Sequence, residues 1–319
     1  MNSIAAPLAG QAIWGYGLSG VALLCFSTAV LATKAASKRA NLELGFFVAL
    51  VVNVVFASCA LGIHLLIRGT GLDWNLQAFW LFAALGVFAT YLGRWFFYES
   101  EVRFGPAKAS IFQVSSPLFT ALIAWLLLGE RLTVWVAAGM LMAIGGLFLI
   151  ACKPGFFAAR TVAVANSQTS FSNRILQSIF LLGLISSAAY AIGNVLRGAA
   201  VRSWPEPIAG ALIGALAGLA MHYAFSADKA SLTTRLRAAE AKGLWLFALV
   251  GAANISGQIT SIASMRYIPL SVAALVGLCT PLLVFPLSYW LFENQEPLTL
   301  YVVLGSLLTL VGVAIVVLR

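Results

Sequence analysis

Apolar residues form ten long, nearly uninterrupted runs along this chain, separated by shorter polar stretches. Each run has 20 to 26 residues, and a helix needs roughly 20 apolar residues to cross the hydrocarbon core of a bilayer. We therefore predict an all-α membrane protein with ten transmembrane helices. In chain order the runs are Ile13–Thr33, Leu44–Ile67, Leu76–Tyr98, Ala109–Leu128, Leu132–Cys152, Ile175–Leu196, Ile208–Ala227, Leu244–Met265, Tyr267–Phe292 and Leu298–Leu318.

The composition excludes several other classes of protein. Of the 319 residues, 61% are hydrophobic and 9% are charged, whereas soluble domains carry about 25% charged residues. Strands of an outer-membrane barrel would be only ~10 residues long and alternate in polarity. An intramembrane enzyme would need a nucleophile with its base, a carboxylate pair or a metal-binding helix. None of the ten acidic residues lies in the middle of a run, so we predict that the protein is not an enzyme.

The net charge of +9 does not indicate a nucleic-acid partner. Basic residues commonly flank membrane spans, and no basic cluster here is interleaved with aromatic residues. The chain has neither a glycine-rich phosphate loop with its lysine nor a CxxC pair, and His64 and His222 lie in different runs, so we expect no cofactor and no metal. The expected partners are the lipid bilayer and a small-molecule substrate.

The sequence repeats itself at a shift of 163 residues, which aligns Arg103–Pro106 with Arg266–Pro269. We therefore divide the chain into a first repeat at residues 1–155, a polar linker at 156–174 and a second repeat at 175–319. Each copy holds five runs, so the second copy must cross the membrane upside down relative to the first. Inverted repeats of this kind are typical of alternating-access transporters. An old duplication with a purely structural role is the alternative.

Polar side chains within the runs are candidates for the substrate site, because polar groups in a membrane face partners or a water-filled cavity. They recur at helical spacing, so that several share one face of each helix. Hydrogen bonding between helices, typically ~0.6 kcal/mol for each bond, is the alternative role. The candidate substrate-binding residues are Tyr91, Arg94, Gln113, Ser116, Tyr190, Asn194, Asn254 and Gln258.

Arg94 allows three interpretations. Its guanidinium could reach the end of the span along the helix, as long basic side chains do. It could pair with Glu99 or Glu101, although neither spacing is the favourable i, i+3 or i, i+4. It could also face the cavity and hold a substrate carboxylate or phosphate with two parallel hydrogen bonds.

Prolines and glycines suggest how the helices bend and pack. Pro117 and Pro281 occur in equivalent spans of the two copies, and proline interrupts a helix, so we predict that both act as hinges. The Gly210, Gly214 and Gly218 row permits close helix packing. Glycine-rich helices of this kind could also support a homodimer.

The segment from Tyr98 to Leu132, with its stretches Arg103–Ala107, Ser116–Phe119 and Leu128–Leu132, resembles the end of an EamA-type repeat of the drug/metabolite transporter superfamily. The second copy carries a weaker version of the same pattern. The resemblance implies ten helices in two repeats and a secondary transporter, an exporter, of small metabolites, which we expect in a bacterial inner membrane. A flippase or transporter of a lipid-linked or lipid-like substrate on the same fold is the alternative.

On two points the resemblance and the residues disagree. Small four-helix members of the superfamily use a glutamate of the first helix for proton coupling, but Ile13–Thr33 contains no acid. The resemblance places both termini in the cytoplasm, whereas basic residues are more numerous on the opposite side, which favours termini outside the cell.

Overall fold

The computed structural model describes residues 9–116, 118–120, 122–123, 134–151, 179–226, 232–268, 273, 276–277, 279–292 and 300–318. Within these ranges the chain is helical and contains turns but no strands. Six of the described helices are long and apolar enough to cross a membrane. The predicted linker at 156–174 and the predicted hinge residue Pro117 lie outside the described residues.

Twelve α-helices and one π-helical segment make up the described fold, and most begin and end within a few residues of the predicted runs. The helices are α1 (Ala9–Ser37), α2 (Leu42–Arg68), α3 (Leu76–Leu85), α4 (Arg94–Phe104), α5 (Pro106–Val114), α6 (Val134–Ala151), α7 (Ile179–Ser203), α8 (Pro207–Phe225), α9 (Leu232–Ala238), α10 (Ala241–Ser264), α11 (Thr280–Leu291) and α12 (Leu300–Leu318). The π-helical segment, Gly86–Gly93, joins α3 to α4 in one continuous helix.

Local sequence signals fix several helix ends. The Asn41 side-chain oxygen accepts hydrogen bonds from the backbone N–H groups of Glu43 and Leu44 and so caps the start of α2. Gly69 ends the same helix with a positive φ of 68°, a conformation that glycine adopts without strain. We use these residues to name the two ends of the bundle, the Asn41 end and the Gly69 end.

Large apolar side chains cover the outer surface of the described helices. Trp14, Ile63, Leu66 and Trp80 are each more than half exposed, which would be unfavourable in water but suits contact with lipid tails. Cys59 is also exposed on this surface. The outward apolar surface and the six long helices show a multi-pass integral membrane protein.

Glycines allow α8 to approach the helix formed by α3 and the π-helical segment. Gly210 lies against the Phe82 ring, Gly214 lies beside the Gly86 backbone, and Gly218 faces Thr90. The predicted role of this glycine row in close packing is therefore seen within one chain, where a larger side chain would push the helices apart.

The helices of the two halves pack in matched pairs. Helix α1 of the first half lies along α10 of the second half. In the corresponding way, α7 lies along the continuous helix formed by α3, the π-helical segment and α4. Helix α2 packs on α10, and in the second half α8 packs on α3 and the π-helical segment in the corresponding way. Two further contacts join the halves directly: α5 contacts α11, and α6 contacts α12. Almost every large helix contact therefore joins the first half of the chain to the second.

The predicted continuous helix Tyr267–Phe292 is interrupted. The chain turns at residues 265–268 and again at Cys279, whose N–H donates to the Val276 carbonyl three residues back. Ser115 forms the equivalent turn after α5, with nearly the same backbone angles. Both turns come two residues before a proline, which lacks the backbone N–H that a continuous helix would use.

The α6–α12 contact provides a test of the packing. A Cβ added at Gly146 would lie 2.6 Å from the backbone nitrogen of Thr309, whereas one at Gly145 would meet nothing within 4 Å. We expect Gly146→Val to lower the free energy of unfolding by about 1–3 kcal/mol through overpacking. Gly145→Val, the matched control, should leave thermal unfolding in detergent nearly unchanged, and equal effects of the two substitutions would contradict this packing.

Candidate functional site

Polar side chains meet at mid-height in the bundle, and we call them the central polar cluster: Asn53 of α2, Arg94 and Tyr98 of α4, Tyr190 of α7 and Asn254 of α10. All except Tyr190 are less than a tenth exposed. Asn53 and Asn254 each lie near the middle of a long apolar helix, far from either end. The cluster therefore occupies the part of the bundle that a bilayer would keep driest.

Arg94 points into the bundle. The Arg94 Nη1 atom donates to the Asn53 side-chain oxygen at 2.9 Å, in the amide orientation that also lets Asn53 donate to the Gly251 carbonyl at 2.6 Å. The side chain is 4% exposed. A guanidinium that contacts the middle of α2 does not extend to the end of its span, so the first interpretation of Arg94 is wrong.

Nor does Arg94 pair with Glu99. The Glu99 carboxylate instead accepts a hydrogen bond from Arg103 Nε at 2.7 Å, one turn further along α4. The Arg94 Nε atom is buried and has no hydrogen-bond partner among the described residues.

Tyr98 and Asn254 connect the two halves within the cluster. The Asn254 side-chain nitrogen donates to the Tyr98 hydroxyl oxygen at 2.6 Å, and both side chains are buried. Gln258 lies one helical turn beyond Asn254 and is 3% exposed. Its side-chain nitrogen has no hydrogen-bond partner among the described residues, so it can donate to a bound molecule.

A second buried arginine, Arg197 of α7, lies about two helical turns from Tyr190 towards the Gly69 end. Its Nη1 atom donates to the Asn194 side-chain oxygen at 3.3 Å. Tyr190 interacts electrostatically with both Arg94 and Arg197, and the two arginines interact with each other. Arg197 is not among the candidate residues that the sequence offers, because it follows the apolar run and could be assigned to the flanking basic residues. Its i, i+4, i+7 spacing from Tyr190 and Asn194 is the signal that would have identified it.

Among the described residues, Glu101 is the carboxylate closest to the cluster in its interactions. It is fully buried on α4 and interacts electrostatically with Tyr98 and Tyr190. In the sequence Glu101 lies just beyond the end of an apolar run, so only the extension of α4 to Phe104 brings it inside the bundle.

The remaining predicted residues have other neighbours. The Tyr91 ring stacks on Phe225 with centroids 6.3 Å apart and also contacts His222. The π-helical segment that contains Tyr91 has wider turns than an α-helix, so residues 91 and 94 do not keep the spacing of one α-helical face. Gln113 accepts a hydrogen bond from Ser186 at 3.3 Å.

Ser116 and Pro281 mark the two helix interruptions. Ser116 is buried beside the Ser115 turn. Pro281 is buried in the first turn of α11, just after the Cys279 turn. In the described part of the chain, no three His, Cys, Asp or Glu side chains come together as metal ligands would.

Comparison with known proteins identifies the first half of the chain. Residues 13–152 match the EamA-like transporter family. The sequence resemblance predicted a match to this family, and the match covers this part of the chain. No functionally curated protein gives a significant match.

The fold as a whole is also similar to a solved one. The crystal structure of another protein aligns with this fold with a TM-score of 0.57 and 19% sequence identity, covering 96% of this chain and 98% of the other. At this identity the likeness concerns the fold alone. The match of residues 13–152 to the EamA-like transporter family and the long apolar helices suggest a membrane transporter of small solutes.

Arg94→Lys tests whether the guanidinium itself is required. Lysine keeps the positive charge but has no planar guanidinium. It therefore loses both the N–H group that donates to Asn53 and the Nε–H group that is available to a ligand. A charged hydrogen bond contributes about 1.5–3 kcal/mol, so we expect transport to fall by roughly 10- to 100-fold at equal protein level. The matched control is Arg103→Lys in the same helix, where the arginine is 43% exposed. Wild-type transport in Arg94→Lys would remove Arg94 from the site.

Proposed function

We propose that this protein is a secondary transporter that moves a small organic metabolite by alternating access around the central polar cluster. One observation carries the proposal: both halves of the chain contribute to the cluster, Arg94 and Tyr98 from the first and Tyr190 and Asn254 from the second. A site between two halves is exposed to one side and then to the other when the halves rock against each other.

The proposal includes two inverted repeats of five helices each. The matched packing supports it, since α1 against α10 corresponds to α7 against α3 and α4. In an inverted repeat, a two-fold axis in the membrane plane maps each helix onto its counterpart in the other half. A contact between two helices that are not counterparts should therefore be matched by a second contact between their counterparts. The similar turns at Ser115 and Cys279 support the same relation.

Ion pairs at both ends of the bundle could act as gates. Arg39–Glu240 and Arg235–Glu43 lie at the Asn41 end, at 2.7 and 3.1 Å, and Arg68–Glu206 lies at the Gly69 end, at 2.6 Å. Each pair joins one half of the chain to the other. Pairs of partly exposed charges contribute only about 0–1 kcal/mol, so such contacts can break and form again during a transport cycle.

Export from a bacterial cell, across its inner membrane, is the direction and location that we propose. Both rest on the likeness to the EamA family. With both termini in the cytoplasm, the Gly69 end faces the cytoplasm and the Asn41 end faces the outside. A reporter fused after Arg319 that is active only outside the cytoplasm would reverse this orientation.

A lipid-like substrate is the second candidate, and one surface feature favours it. At the Asn41 end an open groove of about 420 Å³ is lined by Ala35, Lys38, Arg39, Glu240, Leu291 and Phe292. A basic and apolar groove could accept a lipid head group with the start of its chains. Measuring efflux of water-soluble metabolites and scrambling of labelled lipids in the same vesicles separates the two candidates, because scrambling alone would favour the lipid substrate.

The two helix turns are the proposed hinges. Pro117→Ala and Pro281→Ala would let each helix continue through its turn, which adds about one backbone hydrogen bond, or ~1 kcal/mol, to the straight form. We expect roughly fivefold slower exchange between the inward- and outward-open states, with a smaller change in substrate affinity. Pro207→Ala, another proline in the first turn of a helix, is the matched control.

The exchange can be measured with probes at both ends of the bundle. After the native cysteines are replaced, label pairs at exposed Lys38 and Lys242 report the Asn41 end, and pairs at exposed Gln77 and Arg202 report the Gly69 end. Spin-label distances give the populations and single-molecule fluorescence gives the rates. Distances that never change in opposite directions at the two ends would refute alternating access, and unaltered rates in both proline variants and their double variant would refute the hinges.

A further inference from the structure

We propose that the substrate is a small organic anion and that its carboxylate or phosphate group binds between Arg94 and Arg197. This inference rests on the proposed transport function and extends it to a substrate class. It begins from the presence of two buried arginines in an apolar bundle, one from each half of the chain.

Burying both cations is unfavourable unless something compensates for it. Arg94 and Arg197 are 4% and 9% exposed, and removing a charge from water costs several kcal/mol. The two guanidiniums also interact electrostatically with each other, and like charges repel. Intramembrane charges are usually retained for a functional reason and face the interior or a cavity.

The hydrogen-bond partners of the two arginines do not supply enough negative charge. Arg94 donates to the neutral amide of Asn53, and Arg197 donates to the neutral amide of Asn194. Among the described residues, Glu101 is the carboxylate near the cluster. Within that part of the chain, one positive charge is left over even if the full charge of Glu101 is set against the two arginines. Lys34, whose amine donates to the Val102 carbonyl at 2.7 Å, adds a further positive charge near Glu101.

Each guanidinium also has an unused donor. Nη1 of Arg94 and Nη1 of Arg197 make the hydrogen bonds to the amides, whereas both Nε atoms are buried with no hydrogen-bond partner among the described residues. A guanidinium binds a carboxylate or phosphate with two parallel N–H groups, and such bonds are about twice as strong as neutral ones. The Tyr190 hydroxyl, beside Arg94, provides a further donor.

Placing the two arginines in different halves gives the site a role in the transport cycle. Arg94 belongs to α4 of the first half and Arg197 to α7 of the second, and these helices are in contact. An anion held by both guanidiniums screens their mutual repulsion and favours the state in which they are close. Loss of the anion favours separation, so occupancy of the site is coupled to the relative position of the halves.

Thermal unfolding of the purified full-length chain, in nanodiscs of zwitterionic lipid, tests this site. The probes are sodium acetate, succinate, inorganic phosphate and glycerol 3-phosphate, each compared with sodium chloride at equal ionic strength, and with glycerol as the uncharged control. We expect at least one of the oxyanions to raise the unfolding midpoint by roughly 2–4 °C. Comparing the midpoint shifts given by acetate and succinate with those given by the two phosphates shows whether the site prefers a carboxylate or a phosphate group.

Variants locate the binding. Arg94→Gln and Arg197→Gln should each abolish the shift, whereas Arg202→Gln, an exposed arginine on the same helix as Arg197, should keep it. Arg94→Lys and Arg197→Lys retain the charge and should keep only part of the shift, so they replace the glutamine variants if those fail to fold. The absence of a shift with every anion, a shift with glycerol alone, or an anion shift that persists in the Arg94 and Arg197 variants would overturn the proposal.

The label pairs at the two ends of the bundle, measured in sodium chloride alone, separate this inference from the proposed function. If the two ends open alternately but no oxyanion binds, the substrate class is wrong and transport by alternating access stands. If the ends do not alternate, the proposed function itself fails, whatever the anions do.

Discussion

The hydrogen bond between the Arg94 guanidinium and the Asn53 amide joins two helices in a region where nearly all other side chains are apolar. A charged group in that position requires polar neighbours, because an unsatisfied polar group in a dry interior is costly. Tyr98, Tyr190 and Asn254 are those neighbours. The requirement to satisfy Arg94 therefore determines which faces of α2, α4, α7 and α10 turn towards the centre.

Close helix packing makes this arrangement possible. Gly93 lies against the Tyr190 ring, and Gly251 lies beside the backbone of Ala49. With no side chain at these positions, the four helices approach near enough for short polar side chains such as Asn53 and Asn254 to make hydrogen bonds across the interface. Larger residues there would separate the helices and leave the same polar groups without partners.

The strength of the contacts differs between the centre and the ends of the bundle. Central hydrogen bonds are shielded from water, so each is strengthened by the low local dielectric. The ion pairs at the two ends, such as Arg39–Glu240, are partly exposed and weak. In the proposed transport cycle the two ends open in turn while the two halves keep contact at the centre, and this difference in strength would allow it.

The sequence by itself determined the membrane class, the approximate positions of most helices and the EamA resemblance, because an apolar run of sufficient length is a local property of the chain. It also pointed to Arg94 and Asn254 as polar residues within apolar runs. It could not decide which polar residues meet. Tyr91 turns towards Phe225 because the π-helical segment changes the helical spacing, and Arg197 and Glu101 are buried because α7 and α4 continue beyond their apolar runs. Only the tertiary structure could decide this, since the rotation, length and separation of each helix depend on its packing partners.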